Sequence, residues 1–432
     1  MLATHAEARL SALVSTSVRR LARETAARTE RETRSLGLPG ALLFALSASF
    51  LALAVFVTTI ARGPLATLSA SGSDHASHVG VTILSRYHGL DVYRRPVGEL
   101  CPLHDDASRA LERTLDVRAE DRALITVCNI PQRAGQRPLF LNWPRLVRPY
   151  PPGLWLLTLP EAWLYEETSI SFRALNKLSI LKYLFFAHVL TALAHRVFFH
   201  RSIVGRARWF SIAAVALVHC EGVRWALCGF YDVVAVAALF CALRHALDER
   251  PAHAFGAWSI ALFLHFRALW LLPMAVVLAH RALRRGSAID RLIVLATLPL
   301  VSASMIAFAA VFPHLGSFPE SNPVFIGTVG SHIACFVAWS SALALVAGWL
   351  AKSGRWLTAA TLVWQAVMLG RTPQMQAWHA LFLLPMLGVS CLEGMTLTAA
   401  MVMSVFYVTQ TILVFGAPNL PWLVEQIARG RA

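Results

Sequence analysis

A single acid stands in a polar stretch just past the first long apolar run, in Gly72-Ser73-Asp74-His75, with His78 following shortly after. Read as the entrance of a polar hairpin at the outer membrane surface, it places a carboxylate where lipid-borne and water-borne reactants can both reach it. That makes Asp74 a candidate general base. On a helix Asp74 and His78 share a face, because residues four apart are neighbours. His75 and His78 then read as substrate or metal ligands. The same Asp74 could instead cap a helix starting before Ser77, accepting from free backbone N–H groups. Both readings stand on position alone.

Further charges lie in or beside apolar runs: Glu221, Arg224, Asp232, Arg267 and Arg371. Burying one in a bilayer costs at least ~2.5 kcal/mol on insertion scales, so each needs a partner or a function. Arg224, Arg267 and Arg371 fall at expected outer ends of helices. Guanidinium forks converging on one cavity would clamp a phosphate or pyrophosphate through bidentate donors. Alternatively each snorkels to a headgroup, or pairs with Glu221 or Asp232. His265, His332 and His379 read as packing residues, and Trp225, Trp356 and Trp378 as interfacial anchors. Pro151 and Pro152 fix a helix start directly after Tyr150.

The elements that must position these residues are membrane helices. Of the 432 residues, 56% are hydrophobic, and the mean hydropathy is +0.56. The uncharged run 38–60 is long enough to cross ~30 Å of hydrocarbon and too long for a cleaved signal peptide. A polar stretch follows, and 153–165 is apolar but short, which predicts an interfacial or re-entrant helix. Apolar runs then recur to residue 416. The run 254–283 would make one helix of ~45 Å, well over a bilayer, so a hairpin turning at Arg267 is expected. The reading is an all-α polytopic protein of about 11 transmembrane helices with a structured first extracytoplasmic loop. Its parts are a basic cytoplasmic segment 1–37, a first span 38–60, the loop 61–171, a helix bundle 172–416 and a tail 417–432.

The formal charge of +15 resembles a nucleic-acid signature until it is located. Between Arg62 and Glu167 acids and bases balance, so the excess lies in residues 1–37 and in the short loops near His195 to Arg208, Arg244 to Arg250, Arg281 to Arg291 and Lys352 to Arg355. This is the positive-inside pattern; it places the N-terminus in the cytoplasm and calls for no nucleic acid. Residues 1–37 suit either an amphipathic helix on the inner leaflet or a disordered basic arm. Cys101 and Cys128 lie in the expected outer loop, as a disulfide or as two thiols. The scarcity of Lys beside Arg suits a GC-rich bacterial genome.

Taken in order, several short motifs resemble the GT-C class of membrane glycosyltransferases, within it the bacterial polyprenol-phosphate-mannose-dependent mannosyltransferases. They are Gly72-Ser73-Asp74 after a long first span, Gly89-Leu90-Asp91-Val92-Tyr93, Tyr150-Pro151-Pro152-Gly153-Leu154, Gly229-Phe230-Tyr231-Asp232, Arg267 before Leu271-Leu272-Pro273, Thr372-Pro373-Gln374 and Leu383-Leu384-Pro385. Phe230 stands where the group has Gln, Arg267 where it has Lys, and the segment between Tyr93 and Tyr150 is long. The resemblance implies transfer of a mannose-like hexose from a polyprenyl-phosphate donor to a glycan or glycolipid acceptor, with inversion, at the outer face of a bacterial inner membrane. It makes Asp74 the base and His75, His78, Tyr93, Tyr150, Arg224, Asp232, Arg267, Arg371 and Gln374 the substrate-binding set. No cofactor is required, and a divalent cation is optional. A transporter or flippase of a lipid-linked or anionic solute is the alternative, although the halves of the chain do not repeat as many such folds do. A third reading is an assembly subunit in which Asp74 only caps a helix.

Overall fold

Asp74 lies inside a helix rather than at the entrance of a hairpin, for α1 runs Pro64–His88 without interruption. The cap reading fails for the same reason: backbone N–H groups this far into a helix already have partners one turn back. The structure, a computed structural model, describes residues 64–101, 125–128, 139–142, 150–170, 172–200, 207–227, 229–312, 345–371 and 381–394. The expected first span 38–60 and the tail 417–432 lie outside them.

The described residues are mostly helical. After α1 come a 3₁₀ turn (Gly89–Tyr93), α2 (Val97–Leu100), two short strands, β1 (Ile125–Cys128) and β2 (Leu139–Asn142), and then α3 (Gly153–Glu167). The strands pair antiparallel with Ile125 opposite Asn142 and Cys128 opposite Leu139. They are a minor addition to a fold that is otherwise helical, as expected. Leu139 and Leu141, two apart and therefore on one face, bury themselves in a small core with Val79, Ile83, Leu84, Tyr93 and Tyr165. Cys101 is disulfide-bonded, which decides its state in favour of the bridge.

The bundle comprises α4 (Phe172–Phe198), α5 (Ala207–Leu227), α6 (Asp232–Leu247), α7 (Pro251–Leu264), α8 (Leu272–Arg285) and α9 (Ala288–Val311). A helical segment at 345–352, α10, precedes α11 (Trp356–Arg371) and α12 (Leu384–Leu392). Among the described residues three helices are long and apolar enough to cross a membrane: Ala174–Phe198, Phe266–Arg285 and Ala288–Val311. Their outer faces carry Leu181, Phe185, Leu292, Leu295 and Ile306, all exposed. Apolar side chains turned outward along whole helices suit a lipid solvent and would be unfavourable in water. Pro251–Leu264 and Leu381–Leu392 are apolar but shorter, and part of the expected count of about 11 spans falls on residues outside the described ones.

The long apolar run does break. α7 ends at His265, and a 3₁₀ segment, Phe266–Leu271, leads into α8. The Trp258 indole donates to Ala268 O at 2.9 Å across ten residues. A straight helix would hold residues so spaced ~15 Å apart, so the chain folds back at this break. Gly229 makes the matching turn before α6; its φ of 77° is left-handed space that side chains with a Cβ avoid. Gly153 opens α3 directly against α7, where a Cβ would sit 2.3 Å from Phe263 O. These two glycines bring the starts of α3 and α6 to the 3₁₀ segment. At the far end Glu393 caps α11, accepting from Leu357 N at 2.7 Å and Thr358 N at 2.9 Å.

Candidate functional site

The 3₁₀ segment carrying Arg267 is fastened on every side. His265 Nδ1 accepts from Arg267 N at 3.1 Å, and the Trp258 and Trp364 indoles donate to Ala268 O and Leu269 O at 2.9 and 2.7 Å. Because Nδ1 is an acceptor, the neutral ring carries its proton on Nε2. That nitrogen faces Asp232 Oδ1 at 3.3 Å, within ion-pair distance. The Arg267 guanidinium lies 5.7 Å over Trp270 and within electrostatic reach of Asp232, Tyr231 and Tyr150. A half-buried guanidinium on a backbone this constrained is preorganised for an anion.

Aromatic rings extend the site toward α1. Tyr231 stacks on His265 with centroids 5.6 Å apart, and His265 lies 4.5 Å from Phe382. His78 meets Tyr150 and Tyr231 edge-on at 4.9 and 5.3 Å, and the two tyrosines meet each other at 5.7 Å. Chain segments around residues 78, 150, 231 and 265–267 thus converge. Among the described residues the buried Tyr231 hydroxyl, Tyr183 hydroxyl and Asp232 Oδ1 have no hydrogen-bond partner. Buried polar atoms left so are costly unless a ligand or water answers them.

Comparison of the chain with protein-family models, with curated proteins and with solved structures yields no match. The site is therefore read from its own chemistry.

A second polar group lies beside the first. Glu161 on α3 pairs with Lys182 on α4 and accepts from Ser179 Oγ at 3.0 Å. Lys182 also donates to Leu157 O at 2.9 Å. Ser179 stands 2.7 Å from His75 Nε2. The serine has one proton and gives it to Glu161, so His75 must be the donor in that pair. Tyr183 lies within electrostatic reach of both Glu161 and Asp232. Burial keeps the His75 imidazole neutral, lowering its pKa to about 4; Glu161 opposes the shift and Lys182 adds to it.

The residues expected to carry function are distributed unevenly. His78, Tyr150, Asp232 and Arg267 meet. Asp74 stands on α1 one turn before His78; its side chain lies outside the described structure. His75 is buried against α4 and does not line the aromatic site. Tyr93 is also corrected: it stacks on Trp155 at 5.2 Å within the smaller core, where burial raises its hydroxyl pKa. Arg224 pairs with Glu221 at 3.6 Å and lies 4.4 Å over Trp225, whose indole donates to Glu221. The pairing reading holds for it. Arg371 ends α11, seven residues beyond Trp364, with its side chain outside the description. Gln374 lies outside the described residues, as do His332 and His379. Sequence reasoning overlooked Glu161, Ser179 and Lys182, and took His265 for packing. The available signals were one Glu and one Lys inside apolar stretches, and the His-x-Arg spacing of 265 and 267.

Proposed function

We propose that this protein is a membrane glycosyltransferase of the GT-C type. It transfers a hexose, mannose-like in its contacts, from a polyprenyl-phosphate carrier to a hydroxyl of a glycan or glycolipid at the extracytoplasmic face. The observation that carries the reading is the convergence of Arg267, Asp232, Tyr231, Tyr150 and His78, from segments far apart in sequence, on the side of the fold where the Asp74 helix meets the bundle. The oxidised Cys101 supports an extracytoplasmic location for this layer.

In this mechanism the acceptor oxygen attacks the anomeric carbon from the face opposite the phosphate. The C1–O bond to the carrier breaks, inverting the centre, and the hydroxyl proton passes to Asp74. The donor is a phosphodiester and departs as a phosphomonoester, gaining negative charge as the bond lengthens. Arg267, held by His265 and the two indoles, stabilises that charge, and Tyr231 and Tyr150 supply hydroxyls beside it. The outward apolar faces of the spans leave the prenyl chain in lipid. Protein reconstituted in liposomes with polyprenyl-phosphate hexoses and a panel of glycan and glycolipid acceptors is expected to form a new glycosidic bond and release polyprenyl phosphate. Movement of intact lipid-linked sugar between leaflets with no new bond would establish the flippase instead.

A further inference from the structure

Three polar contacts tying α1 to α3 and α4 fall on one stripe. His75 bonds Ser179, Thr82 bonds Thr158 at 2.6 Å, and Arg86 pairs with Glu166. At about 100° per residue, positions 82 and 86 stand roughly 20° to either side of position 75. Positions 74 and 78 lie roughly 100° and 60° around from it, both on the same side, next to the stripe. The apolar residues of α1 fix this rotation only loosely. Val79, Val81, Ile83 and Leu84 are all buried and spread over roughly 200° of the helix, and apolar burial has no direction. A turn of a few tens of degrees would keep them buried, whereas the directional bonds would be lost.

We propose that this polar stripe sets the rotation of α1, with Thr82, Ser179 and, through Ser179, Glu161 acting as positioning residues that hold His78 at the aromatic site, with position 74 one turn before it on the same side of the helix. The hydrogen-bond accounting permits one arrangement. Thr158 gives its proton to Leu154 O at 2.8 Å, so Thr82 is the donor to Thr158. Ser179 gives its proton to Glu161, so the His75 ring is held by its Nε2–H. Lys182 fixes the Glu161 carboxylate and completes the chain. These directional buried bonds favour one packing where an apolar core alone would accept several, although His75 Nδ1 and Glu161 Oε2 stay unbonded among the described residues.

The catalytic consequence rests on the glycosyltransferase reading; the geometric one does not, and the test separates them. Thr82→Val with Ser179→Ala removes the two buried bonds of the stripe at nearly constant shape and leaves the exposed Arg86–Glu166 pair. The first measurement is oxidative cross-linking of cysteines placed at positions 78 and 231, whose native rings are 5.3 Å apart, with the joined peptide identified by mass. In the stripe variant the yield is expected to fall severalfold, and restoring the pair as Thr82→Ser with Ser179→Thr is expected to recover it. The second measurement, without the cysteines, is sugar transfer: kcat falls roughly 100-fold while the KM for the lipid donor is unchanged, as for a misaimed base. Reduced cross-linking in a protein that transfers no sugar would uphold the stripe and remove the proposed activity. Unchanged cross-linking overturns the stripe whatever the rates. If the double variant does not fold, Thr82→Val alone is read the same way, since it leaves Thr158 bonded to Leu154 O.

Discussion

Removing Lys182 should harm this protein more than neutralising its partner. Lys182→Met leaves the Glu161 carboxylate almost fully buried with only the Ser179 hydroxyl as donor, for its side chain is 7% exposed. Breaking a buried pair from one side costs about 3–5 kcal/mol. Because Lys182 is 25% exposed, water reaches the vacated end and the lower bound, ~3 kcal/mol, is expected. Glu161→Gln keeps an acceptor for Ser179 and leaves an ammonium that still donates to Leu157 O and touches solvent. The loss there is one charge-assisted hydrogen bond, ~1.5 kcal/mol. The double variant should recover part of the Lys182→Met loss, with a coupling of roughly 2 kcal/mol, since neither charge then remains stranded. Reversible unfolding in mixed micelles gives all three values. Equal small losses from both single variants with no coupling would mean that solvent screens the pair, and the buried-network argument would fail.

Acidification should destabilise the fold through His75. Its folded pKa of about 4 lies below the ordinary 6.5, so between these values the unfolded chain binds more protons, and stability falls as pH drops through that window. The total is on the order of 3 kcal/mol; His75→Gln should flatten the slope in a pH series of unfolding midpoints. Gly229→Ala forces a Cβ into left-handed backbone and should cost about 1–2 kcal/mol by the same unfolding assay. Replacing Cys101 by Ser removes a bridge and should cost roughly 2–5 kcal/mol, and in the parent a thiol-specific label should leave Cys101 unmodified until reductant is added. His265→Ala should weaken the binding of a polyprenyl phosphate about tenfold by loosening the Arg267 backbone, as measured by a ligand-dependent shift in melting temperature.

The parts of this fold legible in the sequence were those written in local signals. An apolar run too long for the bilayer announced the break at His265, and Pro151-Pro152 announced the start of α3. Asp74 was misplaced because a Gly-Ser-Asp-His string reads as a turn, whereas packing against α3, α4 and β2 keeps the residues helical. Tertiary contact outweighed weak propensity. His78, Tyr150, Asp232 and Arg267 were each named from the sequence, and the structure brings them together. The link from Glu161 through Ser179 to His75 depends on how α1, α3 and α4 lie side by side, which no local pattern encodes. Arg224 shows the converse: its partner Glu221 stood three residues away in plain view, and the local pair prevailed over the imagined clamp.

Single-turnover transfer from a polyprenyl-phosphate hexose in liposomes, comparing the parent chain with Asp74→Asn, addresses the central claim most directly. A general base removed from a properly bound donor and acceptor should slow the chemical step by roughly 10²–10⁴, with donor affinity intact. Transfer by the Asn variant at the parent rate would contradict it.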